Sequence, residues 1–109
     1  MTTYLLKNFV DNNGKEPIKL WLNSLDNYTQ KRILMRLRRL ELGNFGDYKQ
    51  LNSFLYELRF TFGSGYRIYF AIENSTIILL INGGDKKTQK KDIGKANEII
   101  KSLKGQEND

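Results

Sequence analysis

The chain has no histidine, no cysteine and a single proline among its 109 residues. Without cysteine, neither disulfides nor thiolate zinc sites can form, and the fold needs no oxidising compartment, so a cytoplasmic location is expected. The missing histidine excludes more. Ser-His-Asp and Cys-His nucleophile systems, histidine metal sites and paired-histidine RNA cleavage all need the absent imidazole. Any catalysis must use Lys, Arg, Tyr, Asp or Glu, with no cofactor and no metal implied. Long apolar runs are also lacking, and nothing approaches the ~20 residues that cross a bilayer. The opening stretch MTTYLLKNFVDNNGK has neither a charged leader nor a long apolar segment, so no secretory signal or membrane association is expected.

Positive charge is what the chain has in excess. Lys+Arg 18 against Asp+Glu 12 gives a formal net charge of +6 and a pI near 9.6, which points to a polyanionic partner. Charge alone does not choose among RNA, DNA and an acidic protein. The length fits one domain, 1–104, followed by a short frayed tail, GQEND, at 105–109. A domain of this size buries roughly two thirds of its unfolded surface and can hold a real core.

Hydrophobic periodicity divides the chain. Residues 3–10, TYLLKNFV, read as a strand, and DNNGKEP as a turn. Pro17 suits a first helical position, and a helix over 17–24 places Ile18, Trp21, Leu22 and Leu25 on one side, with Trp21 in the core. Asp26 is the expected N-cap of a second helix reaching Leu42, stopped by Gly43. Its buried stripe is Ile33, Leu37 and Leu40, with Leu34 alongside. From residue 54 the period falls to two, giving strands FLYELRFTF, YRIYFAIE and TIILLIN, with turns at Gly63-Ser64-Gly65 and at 73–76. A last helix over 88–103 carries Ile93, Ala96, Ile100 and Leu103 on its inner stripe. The expected fold is α+β: a largely antiparallel four-stranded sheet, an N-terminal α-hairpin and a C-terminal helix, with the helices on one sheet face.

Burial selects a register for the first hairpin. Pairing Phe62 with Tyr66 sets Phe60 against Ile68, Leu58 against Phe70 and Tyr56 against Ile72, a continuous apolar face. On the other face Arg59 then opposes Tyr69, and Arg59 and Arg67 become diagonal neighbours, about 7–8 Å apart at Cβ or somewhat less, near enough to share one phosphate. A two-residue turn at Asn74-Ser75 would set Asn82 opposite Arg67. The segment INGGDKKTQKKD, 81–92, would turn at Gly83-Gly84 and bring Lys86 and Lys87 to the same face. Asp85 or Thr88 would cap the last helix, and the role of Gln89 stays open. A second cationic feature is the helix bearing Lys31, Arg32, Arg36, Arg38 and Arg39. Arg32, Arg36 and Arg39 share a side that suits a nucleic-acid backbone, an acidic partner segment or plain solvent.

The segments LYELRFTFGSGYRIYF (55–70) and LLINGGDKKTQKKDIGKANEI (79–99), with LWLNSLDNYTQKRILMRLRRLELGNFGDYKQL before them, resemble the RelE/ParE toxin superfamily. The likeness is nearest to its HigB-type, phage-derived "addiction module killer protein" branch. The resemblance implies a RelE-like fold and the toxin of a type II toxin–antitoxin system. It further implies a metal-independent endoribonuclease (mRNA interferase) that enters the ribosome, cuts mRNA by attack of the nucleotide's own 2′-hydroxyl, and so inhibits translation. Implied partners are mRNA, the ribosome and a HigA-like helix-turn-helix antitoxin in a hetero-oligomer.

Carried onto this sequence, the GYR arginine Arg67 would bind the scissile phosphate with Arg59. Lys86 and Lys87 would stabilise the transition state or protonate the leaving oxygen. Tyr69 would stack a base or take the 2′-hydroxyl proton, since Ile93 stands where RelE has a C-terminal-helix tyrosine; Glu57 or a lysine are the other candidates for that proton. Arg32, Arg36, Arg39, Asn82 and Gln89 would contact RNA. Two other readings remain at this level: a gyrase poison of the ParE kind, and a non-enzymatic module binding RNA or an acidic protein.

Overall fold

The computed structural model describes residues 2–107. The chain runs β1 (Leu5–Asn8), α1 (Pro17–Asn23), α2 (Asn27–Glu41), β2 (Tyr48–Gln50), β3 (Tyr56–Arg59), β4 (Arg67–Glu73), β5 (Ile77–Gly84) and α3 (Gln89–Glu107). The α+β class holds, but the sheet has five strands, in the order β1-β5-β4-β3-β2, and it is mixed. β3, β4 and β5 form the antiparallel meander, whereas β1 joins β5 in parallel, Leu5 against Ile77 through Asn8 against Leu80. The fifth strand is β2, three exposed residues on β3.

Helices cover both faces of the sheet, not one. On the first face α1 and α2 bury Ile18, Ile33, Leu37 and Leu40 against Leu58, Phe60, Ile68, Phe70, Ile78 and Leu80. Trp21 and Leu22 pack on the margin of that core, and Trp21 meets Tyr66 edge-on with ring centres 6.1 Å apart. On the opposite face α3 lays Ala96 and Ile100 over Leu55, Tyr69 and Ile81. This second core answers the odd-numbered apolar positions of the strands, which a single-faced sheet would leave in water.

Local chemistry sets the ends of α2. The Asp26 carboxylate accepts a hydrogen bond from the Thr29 N–H at 2.7 Å, as an N-cap does. Gly43 adopts φ +86 just beyond the last turn, where an added Cβ would also crowd the Thr2 carbonyl oxygen. Leu34 departs from the expected stripe: it is 51% exposed and points outward. α3 continues through residues 105–107, so the expected tail is helical there; residues 108 and 109 lie outside the described residues. Among the described residues, no helix is long and apolar enough to cross a membrane.

Two registers differ from expectation. β3 ends at Arg59, and Phe60 N–H reaches the Tyr66 carbonyl across a wide loop containing Gly63 (φ +62) and Gly65 (φ +76). Pairing moves by two residues, to Tyr56–Phe70, Leu58–Ile68 and Arg59–Arg67. A slip of two keeps every side chain on its predicted face and changes only its neighbour. In the second hairpin Glu73 pairs with Ile77, and the ladder then shifts between Tyr69 and Phe70, which pair with Asn82 and Leu80. Ile81 is the extra residue of this bulge, so Asn82 opposes Tyr69 and not Arg67.

Gly83 and Gly84 do not form a turn. They are the last two residues of β5, paired with Ile68 and Arg67. Their lack of a side chain serves close packing: a Cβ on Gly83 would run into the Trp21 ring, and one on Gly84 into the Asp92 carboxylate and Thr88 hydroxyl.

Candidate phosphate-binding site

Arg59 and Arg67 stand directly opposite one another on β3 and β4. Like charges in that relation repel, and an anion is needed between or beneath them. Glu57, two residues before Arg59 and so on the same sheet face, supplies it. Its side chain is fully buried. Oε1 accepts from Arg59 Nε at 2.8 Å, and Oε2 accepts from Gln89 Nε2 at 2.8 Å and Tyr69 OH at 3.1 Å. Arg67 Nε lies 3.5 Å from Oε2, an ionic contact too long for a hydrogen bond.

Burial pushes the Glu57 pKa up, but the hydrogen bonds from Arg59, Gln89 and Tyr69 and the charge of Arg59 outweigh it and leave the carboxyl below its ordinary value. Glu57 is therefore ionised at neutral pH. The same bond raises the Arg59 pKa, fixing both partners in their charged forms. Tethered through Nε, Arg59 keeps its side chain 36% exposed, whereas Arg67 is 15% exposed and donates from Nη1 to the Gly65 carbonyl at 2.6 Å.

Gly65 brings Lys86 to this pair. An added Cβ there would sit 3.2 Å from Arg67 Nη1 and 3.3 Å from Lys86 Cβ, so all three meet at the loop. The Lys86 N–H donates to the Ser64 carbonyl, and the Ser64 hydroxyl to Asp85, closing the 60–66 loop against the start of α3. Asp85 Oδ1 accepts from the Lys87 and Thr88 N–H groups and so closes the turn that precedes α3, while Thr88 stands immediately before its first residue. Lys86 and Lys87 are both exposed. Arg59, Arg67 and Lys86 thus stand around one rim where a phosphate oxyanion would find several donors.

Other expected site residues sit elsewhere or do other work. Tyr69 is fully buried, so it offers no stacking surface; burial, then the Glu57 charge, pushes its pKa well above the ordinary 10.0. It is a donor to Glu57, unsuited to accept a proton. Asn82 is buried and gives Nδ2 to the Asp92 carbonyl at 3.1 Å; its Oδ1 lacks a protein partner. Gln89 spends its amide on Glu57. Arg36 donates to the carbonyls of Arg59 (2.7 Å), Phe45 (3.0 Å) and Asp47 (2.8 Å), tying α2 to the chain around β2 and β3. Burial lowers its pKa, yet guanidinium stays charged throughout the physiological range. Arg32 and Arg39 are exposed on α2, across the sheet from Glu57.

Glu57 is the residue whose part the sequence reading understates, naming it only as a candidate for the 2′-hydroxyl proton. The signal was present in the spacing: in LYELR the carboxylate and the arginine are two apart, on one side of a strand.

Comparison with known proteins adds lineage. Residues 20–104 match the family model described as Phage derived protein Gp49-like (DUF891). A Haemophilus influenzae (strain ATCC 51907 / DSM 11121 / KW20 / Rd) protein, described as "Uncharacterized protein", is 44% identical over 84 residues, 76% of this chain and 85% of the relative. The matched span contains every side chain of the Glu57 cluster together with Lys86 and Lys87.

Proposed function

Because this chain belongs to the Gp49-like phage-derived protein family, we propose that it is the toxin of a type II toxin–antitoxin pair, of the HigB kind within the RelE/ParE superfamily, and that it cuts mRNA on the ribosome. The observation that carries the reading is the pair Arg59 and Arg67, opposed on β3 and β4 and anchored by one buried carboxylate, with Lys86 at the same rim. Donors of this kind, fixed before the substrate arrives, suit a phosphorane whose equatorial oxygens gain charge in the transition state.

In the proposed reaction the 2′-oxygen attacks the adjacent phosphorus in line and the P–O5′ bond breaks. The products are a 2′,3′-cyclic phosphate and a 5′-hydroxyl. Arg67 and Arg59 hold the non-bridging oxygens, and Lys86 or Lys87 gives a proton to the departing 5′-oxygen. The 2′-hydroxyl proton must go elsewhere. Tyr69 is buried with its proton directed at Glu57, and Glu57 is enclosed by its donors with a lowered pKa. Neither suits the task, and a lysine ammonium has donors but no acceptor, which leaves a group brought by the ribosome. An acidic antitoxin segment over the same rim would silence the toxin by occupying the arginines.

Primer extension of a reporter mRNA after induction tests the reading. Wild type should produce new 5′ ends within coding sequence that Arg67→Ala, still folded, does not. Intact messages with a DNA-damage response would overturn the nuclease reading in favour of a gyrase poison. Intact messages with salt-sensitive RNA retention would indicate a binding module.

A further inference from the structure

α2 has a second apolar row besides the buried one. Tyr28, Met35 and Leu42 are 70%, 60% and 55% exposed, and Leu34, beside Met35, is 51% exposed. Tyr28 and Met35 lie within the helix and Leu42 is its C-cap; the three stand at i, i+7 and i+14, the spacing at which a second helix meets the first on one seam. Scattered apolar side chains on a surface are ordinary; a row of them along one helix is an interaction signal.

Cations border the row. Lys31 and Arg38 follow Tyr28 and Met35 by three positions, and Arg32 and Arg39 follow by four, so all four lie on the same side of the helix. Within Asn27–Glu41 five basic residues face a single carboxylate, Glu41. Among the described residues every ion pair involves Glu57, so none of these four cations has an acidic partner within 4.0 Å. The face repels itself as it stands, and negative charge from outside would relieve it. Beside the row a cleft of about 330 Å³ opens between α2 and the end of β3, lined by Arg32, Met35, Arg36, Arg39, Phe60 and Phe62.

We propose that this face of α2 docks an acidic amphipathic helix of a protein partner. The partner's apolar residues lie along Tyr28, Met35 and Leu42, and its carboxylates reach Lys31, Arg32, Arg38 and Arg39. A helix is favoured over RNA because the row repeats every seven residues and only Tyr28 in it presents a flat ring, whereas base recognition needs open flat faces. The Arg32 guanidinium already lies 3.8 Å from the centre of the Phe62 ring and 5.8 Å from that of Tyr28. The inference does not depend on the phosphate site, which lies across the sheet on the α3 side.

The test uses the full chain and a fluorescein-labelled three-heptad peptide with leucine along one seam and glutamate beside it, against a scrambled peptide of the same composition. Fluorescence anisotropy should show binding of the patterned peptide alone, weakening as salt rises. Met35→Asp and the double change Arg32→Glu/Arg39→Glu should each weaken it by about tenfold or more, with circular dichroism and melting temperature confirming the fold. Equal affinity for the scrambled peptide, or indifference to both variants, overturns the proposal. So does a short single-stranded RNA that these substitutions release while the patterned peptide fails to bind, or a wild-type dimer that Met35→Asp dissolves.

Discussion

Replacing Glu57 with glutamine keeps the shape of the side chain and removes its charge. The wild-type carboxylate accepts from Arg59 Nε at one oxygen and from Gln89 Nε2 and Tyr69 OH at the other. A carboxamide offers one oxygen and one NH₂, so in either orientation its NH₂ faces an N–H donor of Arg59 or Gln89. Removing one partner of a buried ion pair costs about 3–5 kcal/mol. The Arg59 side chain is 36% exposed, so water replaces part of what that guanidinium loses. We therefore expect a loss of about 3 kcal/mol for Glu57→Gln, near the low end of that range. At roughly 4 °C per kcal/mol for a domain of this size, the melting temperature falls by about 12 °C. Calorimetry and urea denaturation at neutral pH measure both quantities, and a loss below about 0.5 kcal/mol would refute the hub. The dependence on pH provides a second check. Because the folded pKa of Glu57 lies below its ordinary 4.5, its contribution is complete above that value and is lost as pH falls through the folded pKa. The gap between wild type and Glu57→Gln should narrow on acidification; a gap that widens would contradict the assignment.

Two shorter predictions separate structural from chemical roles. Arg36→Ala leaves three carbonyl oxygens without their donor, so it should cost about 3 kcal/mol in denaturant unfolding, whereas exposed Arg39→Ala should stay within about 0.5 kcal/mol. Tyr69→Phe removes a buried hydroxyl from Glu57 and should cost about 1–2 kcal/mol while leaving the proposed mRNA cleavage within a few-fold of wild type; complete loss of that cleavage by a folded variant would restore Tyr69 to the proposed chemistry.

The fold was legible where apolar spacing is unambiguous. The three helices, the antiparallel meander and the capping Asp26 follow from local pattern and cap chemistry, which depend on few distant contacts. β2 was not legible because DYKQL has no alternation; those residues are extended because β3 offers an edge, Arg36 holds the Asp47 carbonyl, and Tyr48 packs on Phe45 with ring centres 5.1 Å apart. The two-residue slip of the first hairpin escaped for a different reason. FTFGSGY keeps the same faces in either register, so burial cannot choose between them, and the glycine loop does. Gly83-Gly84 reads as a turn by composition, but glycine is demanded there by crowding from Trp21 on the distant α1 and from Thr88 and Asp92 as the chain folds back into α3.

The arginines show what a charge count omits. Arg36, Arg59 and Arg67 all look alike in the sequence as cations on a basic chain, yet Arg36 has its guanidinium committed to three backbone carbonyls, while Arg59 meets its carboxylate through Nε alone. A guanidinium held at Nε retains its terminal N–H groups for a ligand; one saturated at its terminal nitrogens has little left to give. The capacity to bind phosphate therefore depends on which edge of each guanidinium the protein uses. Glu57 makes the difference for the pair on β3 and β4, because a buried carboxylate that takes the inner edge of Arg59 and draws Arg67 near sets two like charges side by side before any substrate is present. On this account a negative residue lies at the base of the cationic site, and its loss would scatter the arginines even though it makes the protein more positive.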